Sequence, residues 1–184
     1  MSRLLAIAAA ILMALAGPVL AQASANPAPA VDPGTKLSFP PSLGGATLEQ
    51  SLSEDGSVGY MYGVNKMQIY VYIEGSRRVP AGSDTPILMT RFTAELNEVE
   101  AKLKSAGYTR FERPTVPSSC SYGSVTFRCI VYSVPSTGGR LFSKLLLTGY
   151  HDHFLKIRID WTSGTATQAD ADRALQSFVP ALVH

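Results

Sequence analysis

The residues best equipped for chemistry stand close together in the run "GYHDHFLKIRIDW", Gly149 to Trp161. Two of the three histidines, His151 and His153, flank Asp152. Imidazole nitrogens and a carboxylate are ordinary zinc ligands, and the same groups serve as general acids and bases. A catalytic zinc, however, takes three protein ligands held by outer partners, and here one short loop would have to supply them all. The alternation that follows marks the run instead as the return strand of a hairpin. A three-residue loop at 151–153 opposes Tyr150 with Phe154, Leu147 with Ile157 and Leu145 with Ile159, all on one apolar face. Lys144 and Asp160 then form a favourable charge pair on the other face. A two-residue loop puts Lys144 beside Ile159 and scatters the apolar set. A one-residue slip reverses every side chain, so the pattern selects the three-residue loop. The histidines are expected at a solvated tip, with a metal site at His151 and His153 as the alternative. The third histidine, His184, is the last residue.

The two cysteines, Cys120 and Cys129, are spaced C-x8-C rather than the C-x-x-C of thiol oxidoreductases. In an oxidising compartment an even count reads as a disulfide, and closing so short a loop stabilises by about 2.5–3 kcal/mol on chain-entropy grounds. The same strand register sets Cys129 opposite Leu145 on the core face, as a buried half-cystine and not a nucleophile. The sequence holds no G-x-S-x-G, S-x-x-K, H-E-x-x-H, Walker A or G-x-G-x-x-G motif. The expectation is therefore no catalytic residue and no cofactor. A different kind of surface is suggested by Met61, Tyr70 and Tyr72, which share a strand face with Gly59 and Gly63. Tyrosines over glycines make a platform for a sugar, a peptide or a protein partner, unless a helix covers them.

The elements that position these residues follow from periodicity. Alternation marks strands at 47–52, 57–64 and 67–74. A two-residue loop at Asn65-Lys66 pairs Tyr62 with Ile69, Tyr60 with Val71 and Val58 with Ile73. A helix follows, capped by Asp84 or Thr85 with Pro86 in its first turn. Its stripe is Leu88, Phe92, Leu96, Val99 and Leu103, and Gly107 ends it. Further strands are predicted at 108–112, 124–134, 140–150 and 154–161. A last helix starts near Thr167, which can form a capping box with Asp170; its stripe is Ala171, Ala174, Leu175, Phe178 and Leu182. The order βββ-α-ββββ-α predicts a single α+β domain, with about seven mainly antiparallel strands and two packed helices.

The N-terminus is read separately. Arg3, the apolar run Leu4 to Ala16, the break at Gly17-Pro18 and the small residues of "VLAQA" have the layout of a secretory signal peptide. Cleavage is expected after Ala23, or after Ala21. Residues 24–36, "SANPAPAVDPGTK", carry three prolines and almost no large apolar side chain, and are expected to be a disordered linker. The domain is then 37–184. The leader's single charge is Arg3, so 15 of the 16 Lys and Arg remain against 14 Asp and Glu. So balanced a chain has no electrostatic drive toward nucleic acid. No segment beyond the leader is long and apolar enough for stable membrane insertion.

"FPPSLGG", "QIYVYIEG" and the closing "LLLTGYHDHFLKIRIDW…ADRALQSFVPAL" resemble a group of small exported proteins of Gram-negative bacteria. The order of elements is similar to the sandwich of the PsbP and Mog1 type, an antiparallel sheet between helices. The resemblance spans roughly Phe39 to the end. It implies a periplasmic accessory or binding role and carries over no functional residue. The expectation is an exported, periplasmic or secreted, non-catalytic protein whose partner is a protein, peptide or glycan. The alternative is a metal-dependent or hydrolytic enzyme built on the 151–153 loop.

Overall fold

The computed structural model describes residues 28–43, 46–52, 58–64, 67–108, 110–136 and 138–183. The expected leader, the loop Asn65-Lys66 and His184 lie outside the described residues. Two short hairpins come first: β1 (Ala30–Val31) pairs with β2 (Ser38–Phe39), and β3 (Ser42–Leu43) with β4 (Ala46–Thr47). There follow β5 (Glu49–Leu52), β6 (Val58–Val64), β7 (Met67–Val79), α1 (Pro86–Ser105), β8 (Ser118–Tyr122), β9 (Val125–Ser136), β10 (Gly139–Tyr150), β11 (Asp152–Thr162) and α2 (Gln168–Leu182). Strands β5 to β11 form one antiparallel sheet in the order β5-β6-β7-β11-β10-β9-β8. The α+β class and the seven-stranded sheet are as expected. The joint of the sheet is β7 against β11, which unites the meander before α1 with the one after it.

Both faces of this sheet are covered. On one, Tyr60, Tyr62, Ile69, Val71, Leu146, Leu155, Ile157, Ile159 and Trp161 pack against Ala171, Leu175, Phe178, Val179 and Leu182 of α2. On the other, Ile130, Tyr132, Leu145 and Leu147 receive Leu88, Phe92 and Leu96 of α1. Helix ends form as their residues require. Thr85 Oγ1 accepts from the Leu88 amide at 3.3 Å, Gly107 takes φ 87°, and Thr167 with Asp170 completes the capping box.

The β10–β11 register corrects the sequence reading. Tyr150 faces His153, Leu146 faces Ile157 and Lys144 faces Ile159. The turn has two residues, His151 and Asp152, at φ 44° and 65°. Two consecutive positive φ angles are what a type I′ turn requires, and that turn matches the twist of the strands. The three-residue loop was selected by assuming one apolar face. A strand buried on both faces has no polar side to keep clean, and Lys144 finds a partner on α2. The same one-residue shift places Cys129 opposite Leu146, not Leu145.

Two other expectations change. The described residues of the expected strand 108–112 carry no strand: Glu112 makes a single bridge to Ser133. The seventh strand is β8, "SSCSY", joined to β9 by a turn with Gly123 at φ 59°. Its serines have little strand propensity, so pairing with β9 decides its state. The expected linker 24–36 also folds in its described part. Asp32 Oδ2 accepts from the Thr35 amide and hydroxyl, each at 2.7 Å, closing a turn between β1 and β2. Leu37 and Phe39 then enter the core, where Phe39 stacks on Tyr60. Proline content hid this turn, because its stability comes from side chains downstream of it.

Candidate functional site

The structure places the two histidines of the turn differently. His151 is exposed, and His153 is half-buried with Nδ1 at 2.6 Å from the His151 carbonyl oxygen. The imidazole of His153 lies over Gly34, where an added Cβ would sit 2.8 Å from Nε2. Among the described residues, no group of three His, Cys, Asp or Glu is placed to hold a metal. The pair His151 and His153 thus gains no third ligand there.

Cys120 and Cys129 stand at disulfide distance, with Cα atoms 6.2 Å apart. Cys120 faces Phe127, one diagonal step from Cys129, so the pair joins the edge strand β8 to β9. Cys129 is buried on the α2 face.

The structure does gather a polar site, on the α1 face where β7 meets β11. Strand pairing sets Tyr72 beside Lys156, Tyr70 beside Arg158 and Gln68 beside Asp160. On the far side of β7, Met61 lies beside Tyr70, Gly59 beside Tyr72 and Gly63 beside Gln68. The expected surface of Met61, Tyr70 and Tyr72 is therefore one contiguous strip. The two tyrosine rings are near parallel, with centroids 6.4 Å apart. Lys156 Nζ lies 4.7 Å from the Tyr72 centroid, and the Arg158 guanidinium carbon 4.4 Å from that of Tyr70. Both are within cation–π reach.

A groove of about 250 Å³ opens where this strip runs under α1. Tyr72, Lys156 and Arg158 form its sheet side, and Arg91, Glu95 and Val99 its helix side. Four charges lock the two sides together. Lys156 Nζ donates to Glu74 Oε1 at 2.6 Å and to Glu95 Oε2 at 3.0 Å. Arg91 pairs with the same two glutamates, and at 3.7 Å with Glu98. Glu95 is buried. Burial opposes the charge on Arg91, but Glu95 and Glu74 more than offset it and raise its pKa. Further along the strip, burial pushes the Asp160 carboxyl above the usual aspartate range, against Arg158 and a hydrogen bond from Ser143.

Sequence reasoning found the tyrosines and Met61 but missed Glu74, Arg91, Glu95, Lys156 and Arg158. Half of the signal was present. Lys156 and Arg158 alternate with Leu155, Ile157 and Ile159, so they must share the face opposite α2. What periodicity does not contain is that β11 pairs with β7, across eighty residues of chain. The chain matches no known protein family, and no curated protein matches its sequence.

Proposed function

We propose that this chain is an exported periplasmic protein with a non-catalytic binding or accessory role. Its ligand or partner engages the α1 groove and the adjoining strip of Met61, Tyr70 and Tyr72. The observation that carries the reading is the groove itself. It lies between a helix and a sheet, apolar at Val99 and Leu145, and is framed by Arg91, Glu95 and Lys156, which are held in place by their mutual ion pairs. Preorganised charges beside aromatic side chains bind without having to be ordered first. The secretory leader and the paired cysteines support the exported compartment.

The test uses untagged protein isolated from the periplasm of its own host. Native mass spectrometry should find a bound species on the wild type that is lost from Val99→Phe, a substitution that fills the groove. N-terminal sequencing should start near Ser24. A bound species retained by Val99→Phe would refute the groove as its site. Near-stoichiometric zinc or copper would instead support the enzyme alternative at His151 and His153.

A further inference from the structure

At the far end of the same strip, away from α1, the sheet carries a second and larger depression of about 540 Å³. It lies where β6 ends, β7 begins and the β10–β11 ladder closes. Gly63, Gln68, Leu141, Asp160, Trp161 and Thr162 line it. Its volume is within the range of small-molecule sites, about 300–1,000 Å³. We propose that this depression binds the end of a neutral, hydroxyl-rich ligand, a saccharide. The inference stands whether or not the α1 groove holds a ligand.

Three features carry it. The first is the kind of polar group on offer. Gln68 Oε1 accepts from the Tyr70 hydroxyl, which leaves the carboxamide NH2 as a donor. Asp160 accepts from Ser143 Oγ at 2.7 Å on one oxygen and meets Arg158 at 3.2 Å on the other. A carboxylate has about four lone-pair sites, so acceptors remain. Thr162 adds a hydroxyl that does both. A ligand that donates and accepts through adjacent groups matches this set, as sugar hydroxyls do.

The second feature is charge. Among the described residues lining the depression, Asp160 is the one ionisable group, and Arg158 pairs with it. Among the described lining residues an anionic ligand would find no free cation, and a cationic one would have to compete with Arg158. The third is shape. Gly63 presents no side chain, and a Cβ built there meets nothing within 4 Å. Leu141 supplies apolar contact for the carbon face of a ring, while Trp161 borders the depression from the α2 face, where it stacks on its cross-strand neighbour Phe142, centroids 5.5 Å apart.

Trp161 is the single tryptophan of the chain and borders the depression from the α2-face core, so its emission is followed during the titrations. Purified mature protein is titrated with cellotetraose, maltotetraose and chitotetraose, and in parallel with tetragalacturonate and a chitosan tetramer as charged controls. Calorimetry accompanies every titration, so that a spectrally silent complex is still detected. At least one neutral tetrasaccharide should bind saturably at or below about 1 mM. Gly63→Leu, which fills open space, should weaken it at least about tenfold, and so should Gln68→Ala. Val99→Phe in the α1 groove should leave it unchanged. The proposal is overturned if no neutral saccharide binds, if a charged control binds more tightly, or if Gly63→Leu and Gln68→Ala bind as the wild type does.

Discussion

Replacing Asp172 with alanine should destabilise the domain far more than replacing the lysine that faces it. Lys144 lies mid-strand on the α2 face, between Val131 and Ile159, and is only 7% exposed. Its ammonium reaches Asp172 Oδ1 at 2.6 Å, and the Tyr122 hydroxyl donates to the same oxygen at 2.7 Å. Asp172→Ala strands the buried charge and orphans the phenol. Breaking a fully buried pair in this way costs about 3–5 kcal/mol. The Asp172 side chain is 37% exposed, so water can enter after truncation and about 2–3 kcal/mol is the expected loss. Lys144→Met removes the charge that needed compensation. It should cost less than about 1 kcal/mol, or stabilise, because buried pairs often break even against apolar replacements. In the Lys144→Met background, Asp172→Ala should cost only the Tyr122 hydrogen bond, about 1 kcal/mol. The coupling in the double-mutant cycle is then about 1–2 kcal/mol. Urea denaturation of the oxidised protein reads it directly: at a slope near 2 kcal/mol/M, Asp172→Ala moves the midpoint down by about 1–1.5 M. Equal costs of Asp172→Ala in both backgrounds would refute the claim that the carboxylate is there to hold Lys144.

Ile157, fully buried between the sheet and α2, should cost about 2–5 kcal/mol on truncation to alanine. His151→Asn should stay within about 0.5 kcal/mol, because Asn tolerates positive φ; comparable losses from the two in denaturation would give the turn a structural load it lacks here. Asp152→Gly should stabilise slightly and His151→Val should cost about 1–2 kcal/mol, since both turn residues have positive φ; the reverse order would contradict a type I′ turn. Intact mass should rise by two hydrogens on reduction, with Cys120 and Cys129 alkylated only afterwards, and full labelling of freshly isolated protein would exclude the bond. Asp160 supplies the pH test. Its pKa is raised by burial, so the folded state holds this proton more tightly than the unfolded chain does. Its contribution is full below the ordinary aspartate range, near pH 4, and is lost as pH rises through the elevated folded value. Stability of the wild type relative to Asp160→Asn should therefore fall as pH rises from about 4. A relative rise would mean that Arg158, not burial, controls the group.

Local order was legible in the sequence. The β6–β7 register follows from alternation, and all seven pairs from Val58–Ile73 to Val64–Met67 obey it. Both helices start where their caps stand, at Thr85 and Thr167, because a cap needs only a side-chain oxygen and the next amides. The cysteine pairing follows from count and spacing.

Contacts with distant partners were not legible. Lys144 argued against the two-residue turn because a lysine on an apolar face has no place in a strand taken alone. It has one when α2 brings Asp172 to that face, 28 residues later in the chain. β8 is a strand only against β9, and Leu37 and Phe39 have a core to enter only once β6 and α2 have formed one. The candidate site is of the same kind. Tyrosines, lysine, arginine and glutamates each announce a face through their alternation, but no residue in β7 announces β11 as its neighbour. Alternation records which side of a strand faces inward. Which strand lies alongside, and what covers the sheet, is decided by burying both faces at once, and that is a property of the assembled layers.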